Sequence, residues 1–511
     1  MRRLEVSCVV TGLLAVALLA SSVGCEQYFW LPPLDGSNSK TTDTNGTVLS
    51  SGDTFSEILI QGRTFVNGAA VTSVMYDPRD ATRRPRGIDF NADGKIDPVV
   101  SYATGSGDVG VAQILLSQGA AGTVDFLSLT FDSNGRWRDL SDIAVADFDG
   151  DGGLDLMLAA RDGVAYLHSP GPGRETILRD WGSATPDAEF LAGSTSVLSN
   201  DEVEAILSDV LPPGTNLDDY DVTVEQGYTQ LEVGDMDGDT NVDVVASRRL
   251  NINLSPKEGK NVPPLSILAG EIQVFINPGG AITSGENWTL VTIGRHERYD
   301  ELDRSGAAGL LLFDLDGDLD LDVISAARDD DNASVSWFEN PGRTRINEVD
   351  EWTPWRIGSL RDAIAIDVGD VTGDGLADVI ATGGQQKQLV LFEQPSTGPT
   401  REYDWDTYPI VTFESFEPRD VKILDLDDDN VLEIVVGGNL GQLRYFEPAT
   451  DPRTPWTAIK VLDFDPQGEV GWLGYGDLDA DEDLDLIAVL NSTEAEAETQ
   501  DRVVWVENDL R

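Results

Sequence analysis

The stretch Asp314-Leu315-Asp316-Gly317-Asp318-Leu319-Asp320-Leu321-Asp322, followed by Val323-Ile324-Ser325-Ala326, decides how the rest of the chain is read. Acidic side chains alternate with other residues through a turn, and a short apolar run follows. The pattern occurs six more times: DFNADGKID (89–97), DFDGDGGLD (147–155), DMDGDTNVD (235–243), DVTGDGLAD (370–378), DLDDDNVLE (425–433) and DLDADEDLD (477–485). Position 1 is Asp89, Asp147, Asp235, Asp314, Asp370, Asp425 and Asp477. Position 3 is Asn91, Asp149, Asp237, Asp316, Thr372, Asp427 and Asp479. Position 5 is Asp93, Asp151, Asp239, Asp318, Asp374, Asp429 and Asp481. Position 9 is Asp97, Asp155, Asp243, Asp322, Asp378, Glu433 and Asp485. One such string is weak evidence; seven in one chain define a repeat.

Oxygen donors at alternating positions of a tight loop suit calcium, which takes roughly six to eight oxygens in flexible geometry. Side chains 1, 3, 5 and 9 would supply most of a shell. The remaining ligand would be the position-7 carbonyl, of Lys95, Gly153, Asn241, Asp320, Leu376, Val431 and Asp483. Up to seven structural calcium ions are therefore expected. Without a cation the carboxylates repel one another, by about 1 kcal/mol per pair in water and more when partly buried. A single string of this kind would also serve as a metal-free Asx turn. An EF-hand is excluded, because it needs an acidic residue at position 12 and a helix on each side. Position 12 here is Val100, Leu158, Ala246, Ser325, Ala381, Val436 and Ala488. The flanks are short apolar runs such as Ile143-Ala144-Val145-Ala146, which predict strands. Each loop is then the turn of a β-hairpin.

Successive first aspartates are 58, 88, 79, 56, 55 and 52 residues apart, so a unit of about 55 is interrupted twice by insertions. A third strand follows each hairpin, as in Val335-Ser336-Trp337-Phe338-Glu339-Asn340-Pro341, and a fourth follows that, as at 352–357. Four antiparallel strands per unit make a propeller blade. The seventh unit stops after its third strand, Val503-Val504-Trp505-Val506, while an orphan strand, Ser56-Glu57-Ile58-Leu59-Ile60, precedes the first loop. That strand can complete the last blade and remove two open edges. The expected fold is all-β: a seven-bladed β-propeller over residues 56–511, closed by its N-terminal strand.

From these loops onward the chain resembles the FG-GAP (VCBS-type) repeats of integrin α-subunit propellers and their bacterial relatives, from Ser56 to Arg511. The resemblance implies calcium in the hairpin between the first two strands of each blade. Literal Phe-Gly and Gly-Ala-Pro strings are absent. The family's glycine at position 6 is replaced by Thr240, Leu319, Asn430 and Glu482. Glycine eases a left-handed backbone there, so these four loops are expected to be strained.

Residues 1–24 read as an export signal. Arg2 and Arg3 precede an apolar run, 9–20, too short to span a bilayer. Ser22-Val23-Gly24-Cys25 resembles a bacterial lipobox, with Ser22 where leucine is usual. Cys25 is then either lipidated, anchoring the protein to a bacterial envelope, or left as a free thiol after ordinary cleavage. Cys8 lies in the removed segment, so no internal disulfide forms. Residues 25–55 read as a flexible tether.

The 91 Asp and Glu residues outnumber the 35 Lys and Arg, giving a formal net charge of -56, which argues against nucleic-acid binding. Hydrophobic residues at 40% exclude a disordered acidic tail. In a four-stranded meander the insertions, about 181–230 and 248–268, fall on the face opposite the acidic loops. Ser199-Asn200-Asp201-Glu202 reads as a capping box opening a short helix with a Pro212-Pro213 stop. Arg248, Arg249, Lys257 and Lys260 lie in the second insertion, and Arg295 and Arg298 before the fourth loop; together they are the candidate ligand surface. The expected partner is a glycan or an extracellular protein, bound by a monomeric propeller. Only two histidines exist, His168 at the end of a third strand and His296 in an inter-blade loop, and no nucleophile elbow or phosphate loop occurs. The chain thus reads as an extracytoplasmic binding, adhesion or scaffold module. A polysaccharide lyase or hydrolase on the same scaffold is the alternative, since carboxylate pairs carry no local signature.

Overall fold

The computed structural model describes residues 40–41, 46–48, 55–59, 66–75, 86–104, 109–118, 125–132, 137–138, 140–176, 181, 189–211, 214–280, 285–294, 307–327, 334–348, 352–398, 404–464, 468–478, 480–481, 483–492 and 502–508. The export signal, Cys25, Arg295, His296, Arg298, Asp479 and Glu482 lie outside them. The chain is all-β, and its sheets are antiparallel. Among the described residues there are six four-stranded sheets, one six-stranded sheet and a two-stranded ribbon.

Each four-stranded sheet is a meander with its strands paired in chain order. One runs through Asp142–Ala146, Asp155–Ala160, Gly163–Leu167 and Glu189–Phe190; another through Ala307–Phe313, Asp322–Ala327, Ser334–Glu339 and Thr353–Ser359. The second strands are buried on both faces: Asp155–Ala160, Asp322–Ala327, Asp378–Gly383 and Glu433–Gly438 are buried at every residue. That is why they read as unbroken apolar runs rather than as alternating ones. Apolar clusters between successive sheets supply the core; one joins Met157, Tyr166 and Phe148 to Val244, Phe275 and Trp288.

The first strands of successive sheets are tied by side chains. Leu231 donates its backbone N–H to Asp142 at 2.8 Å, Ile423 to Asp367 at 2.7 Å and Leu473 to Asp420 at 2.7 Å. Gln230 both donates to and accepts from the backbone of Leu310, and the Ser73 hydroxyl does the same with Tyr475. The strand Phe55–Leu59 pairs with Arg502–Asn508, from Phe55 opposite Asn508 to Leu59 opposite Val504. Two short strands within the stretch expected to be a tether, Lys40–Thr41 and Gly46–Val48, extend that sheet to six.

The two insertions form one unit. The strand Tyr220–Gly234 is 15 residues long and pairs with Asp243–Pro256, which pairs with Leu265–Ile276, so the second insertion is mostly lengthened strand. The helix Asn200–Val210 covers this extension: Val203, Ile206 and Leu207 pack with Leu250, Ile252 and Leu254. Its capping box is formed, Glu202 donating its N–H to the Ser199 hydroxyl and Ser199 donating its own to Glu202.

Candidate metal centres

The chain reverses within each acidic loop by using left-handed residues at two positions. Position 6 is left-handed at Gly94, Gly152 and Gly375, and also at Thr240 (φ 74°), Leu319 (φ 81°) and Asn430 (φ 67°). The expected strain is therefore present in three of the four loops that lack the glycine. Position 4 is left-handed too, at Ala92, Asp428 and Ala480 and at four glycines, which the sequence reading did not anticipate.

Side chains then fold inward over the turn. The position-1 carboxylate accepts the N–H groups of positions 5 and 6, as Asp235 does from Asp239 (2.9 Å) and Thr240 (3.0 Å). Position 5 accepts from position 7, as Asp239 does from Asn241 at 2.8 Å. These bonds aim the carboxylates of positions 1, 3 and 5 at one another. Donor oxygens gather within 4.8 Å in Asp147, Asp149 and Asp155; in Asp235, Asp237 and Asp239; in Asp314, Asp316 and Asp318; and in Asp425, Asp427 and Glu433. The sixth loop is gathered despite its longer Glu433. In the fifth, Thr372 rather than position 2 donates its N–H to Asp378.

Position 9 has a second duty that the sequence reading missed. In the fourth loop, Asp322 accepts the N–H of Leu315 on one oxygen and that of Asn340, at the end of the third strand, on the other. Asp97, Asp155, Asp243 and Asp485 make the same pair of bonds. The third-strand residue reaches onward in turn. Asn277 donates its side-chain amide to Phe148, Asn340 to Met236, Gln394 to Leu315 and Asn508 to Leu426, each in the preceding sheet. Position 9 thus fastens hairpin to third strand, and the adjacent amide fastens sheet to sheet. The recurrence of Asn at the third-strand end was the available signal.

Burial of these carboxylates is costly when they are charged. Desolvation pushes Asp322 up to about 8 and Asp97, Asp155 and Glu433 up to about 7, against the lowering effect of their backbone bonds. Neighbouring acids add to the rise, Asp316 and Asp318 in the case of Asp322. A dication at the centre of each loop would remove that penalty. The donor set fits one: all ligands are oxygens, and the buried Oδ1 of Asp314 has no hydrogen-bond partner.

The candidate ligand surface divides. Arg248 does not belong to it: its side chain is 3% exposed, ion-paired with Glu271 at 3.0 Å, and it donates to the Ser196 carbonyl and to Gln226. The alternation of a strand turns Arg248 into the sheet and Arg249 out of it, and Arg249 is exposed. Lys260 pairs with Asp219, and exposed Lys257 donates to the Asp218 carbonyl. Arg249 lines a cavity of about 380 Å³ with Arg419, Glu469 and Trp472, and this space shares Glu232, Lys422 and Trp472 with a second cavity of about 660 Å³. The larger one is lined by Thr72, Asp142, Glu232, Leu311, Asp367, Lys422 and Tyr475, each from a different sheet. Burial raises Glu232 to about 8, Asp142 to about 7 and Asp367 to about 6.

Repeated four-stranded meanders, turned by acidic hairpin loops, make this a propeller-like repeat protein. The family model of the FG-GAP-like repeat matches residues 314–381, from the fourth loop through the fifth, so this part of the chain is similar to an FG-GAP-like repeat. A solved structure described as "Structure of Dos1 propeller" is similar over 88% of this chain and 88% of its own, at 10% identity and a TM-score of 0.41. No curated protein matches the chain.

Proposed function

We propose that the sheets are the seven blades of one closed β-propeller, that its loops hold structural calcium, and that it acts outside the cytoplasm as a binding module for a glycan or a protein. Ring closure is supported by the pairing of Phe55–Leu59 with the last strand and by the single cavity to which seven sheets each contribute. The observation that carries calcium is the fourth loop. There Asp314, one of whose oxygens is buried without a hydrogen-bond partner, gathers a carboxylate oxygen with those of Asp316 and Asp318, an arrangement that repulsion opposes unless a cation joins it. Export rests on residues 1–24, and anchoring on Cys25.

Binding rather than catalysis is favoured by the mouth of the axial space. Exposed Arg249 and the aromatic Trp472 sit together there on the face away from the loops. Calorimetric titration with calcium after chelation should show several equivalents and a raised Tm; no heat and no shift would remove the calcium reading. A glycan array and a pull-down from envelope extract, each with parent and Arg249→Glu protein, test the binding reading. Turnover of an acidic polysaccharide by the parent protein would replace it with the enzymatic alternative.

A further inference from the structure

Beside the second acidic loop stands a nitrogen donor that no other loop has among the described residues. His168 follows the third strand of its sheet, and its Nε2 lies 2.8 Å from Oδ2 of Asp149, whose side chain is 6% exposed. The donor atoms of Asp149, Asp151 and His168 all lie within 4.8 Å of one another, and among the described residues no other such group contains a nitrogen. By strand register the place of His168 is taken elsewhere by Glu339, Glu393, Glu447 and Glu507, or by the apolar Leu116 and Ile276.

The half-exposed imidazole is backed on one side by its surroundings. Its ring meets the edge of Tyr166 at 6.1 Å, and the Tyr166 hydroxyl donates to Asp155. The segment after the strand lies directly on the loop. Ser169 donates its N–H to Asp155 at 2.7 Å, and a Cβ on Gly153 would come within 2.8 Å of the Gly171 Cα. At Gly171, left-handed at φ 86°, a Cβ would sit 2.9 Å from Asp151 Oδ2. Glycine at both places lets the backbone approach the acidic side chains this closely.

We propose that this loop takes a transition dication of the zinc class through His168 Nε2, Asp149 and Asp151, where the other loops take only a hard cation. Imidazole suits zinc, nickel and copper, whereas all-oxygen sets suit calcium and magnesium. One nitrogen and two carboxylates leave a position for water in a tetrahedral shell. With metal–ligand distances near 2.0–2.1 Å, tetrahedral donors stand about 3.3 Å apart, so the His168–Asp149 contact has to open by roughly half an ångström. A rotation of the half-exposed imidazole provides that movement.

The site shares Asp149 and Asp151 with the calcium reading of this loop, so zinc is expected to displace calcium there, and the test separates the two. Untagged full-length protein is titrated with zinc in the presence of saturating calcium, and cobalt serves as an absorbing substitute that reports nitrogen ligation. The expected result is one zinc equivalent and a tetrahedral cobalt spectrum. His168→Ala should weaken zinc by on the order of 100-fold, since it removes a ligand from a three-residue set, and His168→Glu, which exchanges nitrogen for oxygen, should lower the preference for zinc over calcium, while the calcium stoichiometry of both, measured without zinc, stays that of the parent. His296→Ala should retain the zinc site. Zinc affinity unchanged in His168→Ala, zinc taken up equally by several loops, or no zinc bound by the parent would each overturn the proposal. One zinc equivalent without any calcium uptake would support it and sink the calcium reading alone.

Discussion

Alanine at position 322 removes a carboxylate that is 1% exposed and accepts two backbone N–H groups, from Leu315 at 3.1 Å and from Asn340 at 2.8 Å. Neither donor has water at hand to replace it. Abandoning a buried donor costs roughly 1–3 kcal/mol, so the pair sets an expected loss of about 2–6 kcal/mol whether or not calcium is bound. Asp318→Asn in the same loop is the contrast. Asp318 is exposed and accepts only the N–H of Asp320, at 3.0 Å, a bond that asparagine keeps. Its cost should appear only with calcium, up to about 2.7 kcal/mol at 100 times the dissociation constant. Urea unfolding with and without calcium measures both, as midpoint shifts at constant slope. If Asp322→Ala shifts the midpoint only when calcium is present, position 9 is a metal ligand and nothing more, and the fastening role assigned to it is wrong.

Three further outcomes follow from the loops and the cavity mouth. In chelator, stability should fall as pH rises from about 5 to 8. Asp322, Asp97, Asp155 and Glu433 are raised by burial to about 7–8, so the stability they lend is full while they are neutral and is lost as they ionise. The gain from added calcium should grow over the same interval, and melting curves at several pH values check both signs. Thr240→Gly should stabilise by about 0.5–1 kcal/mol, because relief of a left-handed β-branched residue exceeds the entropy that glycine loses; a lower urea midpoint would contradict the strain. Arg249→Glu should weaken whatever ligand an array identifies at least tenfold, while Lys260→Glu, which breaks only the peripheral pair with Asp219, should change affinity little.

Features carried by short-range pattern were legible in the sequence. The seven loops, the strands beside them, the capping box at Ser199 and the pairing of the N-terminal strand with the last one all depend on residues close in sequence or on the repeat itself. Features that depend on register were not. Arg248 and Arg249 look alike in a string of letters, yet one meets Glu271 inside the sheet and the other faces out. Asp142, Asp367 and Asp420 look like ordinary strand-flanking acids, because one oxygen of each accepts the next residue's N–H while the other reaches an N–H 89, 56 or 53 positions away. The left-handed residue at position 4 escaped notice for a different reason. Alanine at 92 and 480 and aspartate at 428 carry no conformational signature, and the turn around them imposes it.

The loops also account for much of the charge. Of the 91 acidic residues, 30 lie in these seven nonapeptides. Dissolved salt is a poor remedy for them, because screening at physiological ionic strength acts over about 8 Å, while the gathered oxygens lie within 4.8 Å of one another. Only an ion seated among them, or protons on them, can relieve the repulsion at that range. Protons compete well for the buried position-9 groups, which desolvation raises to about 7 at Asp97 and Asp155. The position-9 carboxylates therefore do two things at once: they build the hairpin, and they are charged without penalty only when a cation is close. A loop of this composition couples the joining of its strands to the ion it holds, which is why metal and fold should be lost together.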